Sequence, residues 1–392
     1  MLFIWFNKLV LVPFELIFWG NKVPFFYANN QSIYLEISIV LLSFVAFLCG
    51  WKSYFLKPSD LILNTFQQLQ KWMIIYLSVA LLSLIYLYGS LLNYWRNSIF
   101  TYATLDALED VGGSMLGYLT NVGQRFWPFG VLLTLCWWKN KYANKQWQWI
   151  VWLVLCLVGT LSSNRSNMIY PLLMLSSILS SQWKLRDKRI LLLVALGGFF
   201  SLLFFGYLRV QPTLDTEQVG QLFGIYLEES DYVWKAHQLY VGSPYQITPL
   251  LQIEKQANTL LASLLDPVPI LGKGFREESG PFVYNLAIHD STIAQDQVIP
   301  VAGELYFNGG FFWVALGYFI FGAIYHWFDA IFKKYILINP VLAASFFYLA
   351  LLFNATLVLS LSVLVQFLLY NAVPALLIIV LNWWQMRKGS ST

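Results

Sequence analysis

The sequence predicts an all-α, polytopic integral membrane protein, and three observations predict it. Of the 392 residues, 58% are hydrophobic and 11% are charged, against roughly 25% charged in an ordinary soluble domain. Aromatic residues make up 18% of the chain, and the mean hydropathy is +0.60. The apolar residues form continuous runs, not the short alternating segments of a transmembrane β-barrel. A soluble enzyme, a disordered chain and a secreted disulfide scaffold are excluded, because none of them hides this much apolar surface. Cys49, Cys136 and Cys156 all lie in apolar runs and read as small hydrophobes, with no disulfide framework or CxxC metal site.

The spans follow from the length a helix needs, roughly 20 apolar residues per crossing. Ten segments qualify: about 2–19, 33–51, 72–93, 115–137, 149–161, 168–182, 190–208, 303–328, 340–359 and 363–383. The first is interrupted by Lys8, Pro13 and Glu15, so it either spans or lies in the interface. With those charges and no small-residue cleavage site, it is not a signal peptide. The fifth and sixth are short and flank the polar turn of residues 162–167.

Net charge is only +4, so no nucleic-acid partner is expected and orientation rests on charge placement. With both termini in the cytoplasm, the inner loops and tail carry 14 of the 24 Lys and Arg. These are Lys52, Lys57, Lys71, Lys139, Lys141, Lys145, Lys184, Arg186, Lys188, Arg189, Lys333, Lys334, Arg387 and Lys388. The short outer loops then hold only Lys22, Arg96 and Arg165. The inverse orientation violates the positive-inside rule.

The expected organisation is therefore three-part. Residues 1–208 form an N-terminal bundle of about seven spans. Residues 209–300 form a large outer loop, and residues 301–392 a C-terminal bundle with a cytoplasmic tail. After Arg209 the loop has eleven acidic residues against four basic ones, and loops this long are usually functional. Residues about 217–240 and 250–265 read as amphipathic helices, separated and followed by Gly- and Pro-rich turn signals.

Ionisable residues in or beside spans are functional candidates. Arg125 stands inside the fourth span, either facing the bundle interior as an anion site or snorkelling beside Trp127. Arg165 is the only charge in its hairpin, among Ser162, Ser163, Asn164, Ser166 and Asn167, at the start of the next helix. Arginine, free backbone N–H groups and a helix N-terminus suit a phosphate. Arg209 closes the seventh span, where a cation also suits a helix C-terminus. Arg276 lies in the segment before the eighth span. Glu304 opens that span, with Tyr306 and Asn308 following, and is either a base or a first-turn acid favoured by the helix dipole. His289 and the adjacent Asp290 are the other possible general bases. Loop aromatics, Trp234 among them, are candidates to stack on sugar rings, and Tyr306 and Asn308 are further sugar-binding candidates. Walker, HExxH, GxSxG and GxGxxG motifs are absent, and no metal site or cofactor is expected.

Three features resemble the Wzy-type polymerases of bacterial O-antigen and oligosaccharide repeat units. They are Leu161-Ser-Ser-Asn-Arg-Ser166, the large outer loop after Arg209, and Gly303-Glu-Leu-Tyr-Phe-Asn-Gly-Gly-Phe-Phe-Trp313 leading to Gly322. The resemblance implies a GT-C-like membrane glycosyltransferase of the bacterial cytoplasmic membrane, with its site facing the exterior. Its substrate would be an oligosaccharide on undecaprenyl pyrophosphate, and its product O-antigen, capsule or exopolysaccharide. Arg165 and Arg209 match the family's outer-face arginines and would neutralise the leaving pyrophosphate, with Arg125 and Arg276 added here. A chain-length regulator and a flippase would be its partners. Three alternatives stay open: an O-antigen-ligase-like transferase, a flippase or transporter for the same lipid-linked sugar, and a structural subunit of a polysaccharide assembly complex. The flippase predicts an internal repeat that the sequence does not show.

Overall fold

The computed structural model describes residues 30–53, 68–94, 115–141, 170, 173–174, 177, 259–269, 271–289, 300–353 and 360–389. Among these residues there are helices and turns and no strand, as the composition predicts. In chain order the helices are α1 (Asn30–Lys52), α2 (Leu69–Tyr88), α3 (Met115–Gln124) and α4 (Trp127–Lys141). Then come α5 (Thr259–Leu265), α6 (Gly280–His289), α7 (Val301–Tyr335), α8 (Pro340–Phe353), α9 (Leu361–Gln366) and α10 (Val373–Gly389). Two of them, α2 and α7, are long and apolar enough to cross a membrane, and α9 with α10 forms a bent pair that meets the same test. The expected spans at about 2–19, 149–161 and 190–208 lie outside the described residues, as does most of 168–182.

The fourth expected span is not one continuous helix: it breaks between α3 and α4, at Arg125 and Phe126. Pro128 is the cause. It has no N–H to give the carbonyl of Gln124, and its ring crowds that carbonyl. The chain tightens there, Arg125 N–H donating to Val122 O and Phe126 N–H to Gly123 O. Arg125 therefore sits at the break between α3 and α4 rather than within a continuous helix.

The chain divides into two compact units. One comprises Met1–Lys57, Thr216–Trp327 and Leu352–Leu369. Its core joins Ile39, Val40 and Phe47 of α1 to Val301, Leu305, Val314 and Tyr318 of α7 and to Leu361 and Leu364 of α9. α1 and α7 approach to backbone contact, which two glycines permit. A Cβ on Gly50 would overlap the Phe319 carbonyl, and one on Gly322 would overlap the Phe47 carbonyl. Such small-residue crossings are the means by which membrane helices pack without a hydrophobic drive.

The first turns of α7 depart from the expected straight span. Gly309 and Gly310 have non-helical backbone, with Gly310 at φ 65° and ψ −157°. In a straight helix Leu305 and Gly317 would stand about 18 Å apart and Ala302 and Tyr318 about 24 Å apart. Instead the Leu305 side chain covers Gly317, the Tyr318 hydroxyl bonds the Ala302 backbone, and Tyr306 meets Phe311 edge-on at 5.0 Å. Residues 301–308 thus fold back beside the helix that begins at 311, and the diglycine is the hinge. Only glycine reaches the Gly310 backbone conformation without strain. Gly310→Ala is expected to lower stability by about 1–3 kcal/mol, read as an earlier thermal transition of the purified protein. A melting curve that superimposes on wild type contradicts the hinge.

The other unit comprises Pro58–Asp215, Phe328–Leu351 and Tyr370–Thr392. α2 packs on α3 and α4 through small residues, Gly123 against Ser83 and Gly130 against Leu77. Tyr76 is fully buried, donates to the Pro374 carbonyl at 2.9 Å and lies on Phe126 at 4.7 Å. Phe129 meets Tyr348 edge-on at 5.1 Å. The Asn339 amide donates to Asn382 Oδ1 at 3.0 Å and fixes α10 to the start of α8.

Candidate functional site

The strongest concentration of buried polar groups lies in the first unit, where α5 and α6 meet the folded-back arm of α7. Its local logic begins in α5, Thr259-Leu-Leu-Ala-Ser-Leu-Leu265, followed by Asp266. Thr259, Ser263 and Asp266 recur at i, i+4 and i+7, so they line one face of the helix. That face turns inward: Thr259 is 2% exposed and Ser263 0%. The α7 arm answers with Glu304 and Asn308, also four residues apart and therefore on one face. Asn308 Nδ2 donates to Thr259 Oγ1 at 2.6 Å and to the Glu304 carbonyl at 2.8 Å. One turn away, the Ser263 hydroxyl bonds the Glu304 side chain. Two polar pairs therefore hold α5 against the arm.

Glu304 is 0% exposed. Its Oε2 accepts from the Leu361 N–H at 3.3 Å, at the start of α9. There Ser360 caps the same helix end, its hydroxyl accepting from Val363 N–H at 3.3 Å. A carboxylate and a hydroxyl at a helix N-terminus satisfy donors that have no intrahelical partner. The second carboxylate oxygen, Oε1, has no hydrogen-bond partner of good geometry. It lies over Gly280, where any Cβ would collide with it. Gly280 N–H donates to Ser263 Oγ at 2.7 Å, so the start of α6 closes the pocket that the carboxylate fills.

Asp266 forms the rim. Its Oδ2 accepts from the Ser362 hydroxyl at 2.9 Å, so α9 is held at consecutive residues by two carboxylates. Asp266 is half-buried, not enclosed. Burial pushes its carboxyl above the ordinary range; the Ser362 hydroxyl and the Arg276 charge oppose the shift without cancelling it. Arg276 is exposed on the short turn Arg276–Glu278 that follows Gly272–Gly274. Gly272 packs where a Cβ would overlap the Asp266 carbonyl. The arrangement offers a half-exposed carboxylate of raised basicity, a cation near it and a buried carboxylate behind them.

Of the residues singled out in the sequence, Glu304, Asn308 and Arg276 come together here. Tyr306 stands at the hinge against Phe311. The Asn308 amide nitrogen ties α5 to the α7 arm, so holding the fold is its first task. His289 is the last residue of α6. Arg125 belongs to the other unit. Its Nε is buried without a hydrogen-bond partner, and its charge acts on Tyr88 and Tyr348. Arg165, Arg209, Trp234 and Asp290 lie outside the described residues. Sequence reasoning missed Asp266, Ser263 and Thr259. Their signal was a polar stripe at helical spacing among Leu260, Leu261, Leu264 and Leu265.

Comparison with protein-family models, curated proteins and solved structures finds no match to this chain.

Proposed function

We propose that the protein is a membrane glycosyltransferase that polymerises oligosaccharide repeats carried on a polyprenyl pyrophosphate. The membrane would be the bacterial cytoplasmic membrane, with the site on its outer side. The observation that carries the reading is the pair of carboxylates, Glu304 and Asp266, anchored at the start of α9, with the Arg276 charge acting on the more exposed one. Glycosyl transfer from such a donor needs a base for the acceptor hydroxyl and positive charge for the departing pyrophosphate. In the proposed step the acceptor hydroxyl oxygen attacks the anomeric carbon. Its proton passes to Asp266, and the bond from the anomeric carbon to the pyrophosphate oxygen breaks. The pyrophosphate leaves with the bonding pair, neutralised by Arg276 together with Arg165 and Arg209 of the resembled family's pattern. Arginine suits this because its planar fork binds phosphate oxygens two at a time. Glu304, wholly enclosed, acts as a positioning residue: it holds α9, and with it Ser362 and Asp266, in register.

Asp266 separates function from stability. Its carboxyl is raised in the folded protein, so its neutral form folds better than its ionised form. The contribution is fully present below the unfolded-state pKa and is lost as pH rises through the folded one. Asp266→Asn removes that penalty and keeps an acceptor for Ser362. The variant is therefore expected to be at least as stable as wild type at pH 7 yet to lose about a hundredfold or more in turnover. Wild-type activity should fall as pH drops through the raised pKa. Retention of full turnover by Asp266→Asn contradicts the assignment.

The function itself is tested by the length distribution of surface glycan in a deletion strain. The strain is complemented with wild type, Asp266→Asn, Arg165→Ala or Arg209→Ala, with protein levels matched. The expected result is single-repeat glycan without a ladder in the deletion strain and the variants, and a full ladder with wild type. Loss of even the single repeat from the deletion strain overturns polymerisation in favour of transfer or flipping.

A further inference from the structure

Helix α5, Thr259–Leu265, falls within the part of the sequence that reads as an aqueous outer loop. Its polarity is inverted relative to a water-exposed helix. Thr259 and Ser263 are 2% and 0% exposed, while Leu261 and Leu264 are 52% and 42% exposed. In water a helix such as α5 would bury its leucines and present Thr259, Ser263 and Asp266 to solvent.

The segment's neighbours set its depth. α5 is bonded to residues 304 and 308, on the arm that folds back beside residues 311–318 of α7. The apolar stretch of α7 from Phe311 to Phe328 carries no Asp, Glu, Lys or Arg and ends at Asp329, Lys333 and Lys334. Those 18 residues are about 27 Å of helix, close to the roughly 30 Å hydrocarbon thickness. The diglycine hinge therefore stands at one membrane boundary. The arm that returns from it is submerged, with Leu305 at the level of Gly317, about 10 Å from the hinge.

We infer that α5 lies within the membrane at the level of the returning α7 arm, with Leu261 and Leu264 against lipid acyl chains. Lys273, Arg276, Glu277 and Glu278, exposed on the turns after α5, balance in charge, so the occupant of the leucine face is the apolar part of the bilayer, with no requirement for anionic headgroups. This goes beyond the proposed reaction and stands whether or not that reaction is the one catalysed.

The test uses the full chain in phosphatidylcholine nanodiscs, with Cys49, Cys136 and Cys156 replaced by Ser. Nitroxide labels are placed singly at Leu261 and Leu264. Phe312, 69% exposed on α7, is the lipid-facing reference, and Lys333, 71% exposed, is the water-facing reference. The ratio of accessibility to oxygen over accessibility to a water-soluble nickel chelate is read at each. Ratios at both leucine sites matching Phe312, several-fold above Lys333, are expected. Ratios matching Lys333 overturn the inference. The unsubstituted protein supplies a second measurement, cross-linking by a phospholipid with a diazirine near the end of its acyl chain. Adducts within 259–265 are expected. Adducts on α2 and α7 with none on α5 overturn it.

Discussion

Glu304→Ala is expected to destabilise the protein by about 3 kcal/mol, whereas Glu304→Gln keeps the fold and loses turnover. The alanine variant leaves the Leu361 N–H without its acceptor and opens a cavity in a fully enclosed site. Each effect alone costs on the order of 1–3 kcal/mol. Glutamine has the same shape and still accepts from Leu361, so α9 stays capped. It replaces a carboxylate oxygen beside Gly280 with either an amide nitrogen or a weaker acceptor, and this changes the bonding to Ser263. A small shift of α9 then reaches Asp266 through Ser362. Displacements of this size cost up to about a hundredfold in rate. Thermal unfolding and turnover of the two variants are measured side by side. If Glu304→Ala melts with wild type, the carboxylate does not hold α9. If Glu304→Gln retains full turnover, it does not position the site.

The second large effect concerns the α1–α7 crossing. Gly50→Val or Gly322→Val is expected to cost about 3 kcal/mol and to sharply reduce accumulation in the membrane. Any Cβ at these positions meets a backbone carbonyl, Phe319 for Gly50 and Phe47 for Gly322. A flexible side chain can move aside, but a packed helix backbone cannot do so without separating the pair. Gly274→Ala is the control, because a Cβ there meets nothing within 4 Å. Equal yields of all three variants would contradict the close crossing.

The helical character and the helices long and apolar enough to cross a membrane were legible in composition and run length, because burial in lipid requires long uninterrupted apolar helices. Glu304 was legible too, since a carboxylate at the start of an apolar run is costly enough to stand out. The bend at Gly309–Gly310 was not. Two glycines are compatible with a helix, and only tertiary contacts across the turn, such as Leu305 on Gly317, reveal the reversal. Asp266 was hidden for a different reason. It precedes Pro267-Val-Pro269, and that pattern reads as a turn whatever the carboxylate does. Its role emerges only when Ser362, 96 residues later, is brought to it. The break at Arg125 could have been read from Pro128, whose missing N–H falls opposite Gln124. Apolar run length alone passed over it.

The central claim is that the carboxylate pair serves glycosyl transfer from a lipid-linked donor. The most direct measurement reconstitutes purified wild type and Asp266→Asn in liposomes with a polyprenyl-pyrophosphate-linked oligosaccharide and follows product length with time. The account predicts a growing ladder and stoichiometric release of polyprenyl pyrophosphate with wild type, and unextended substrate with an equally stable Asp266→Asn. Ladder growth at the same rate with both proteins would contradict the site. Neither extension nor pyrophosphate release by folded wild type given its native repeat unit would contradict the function.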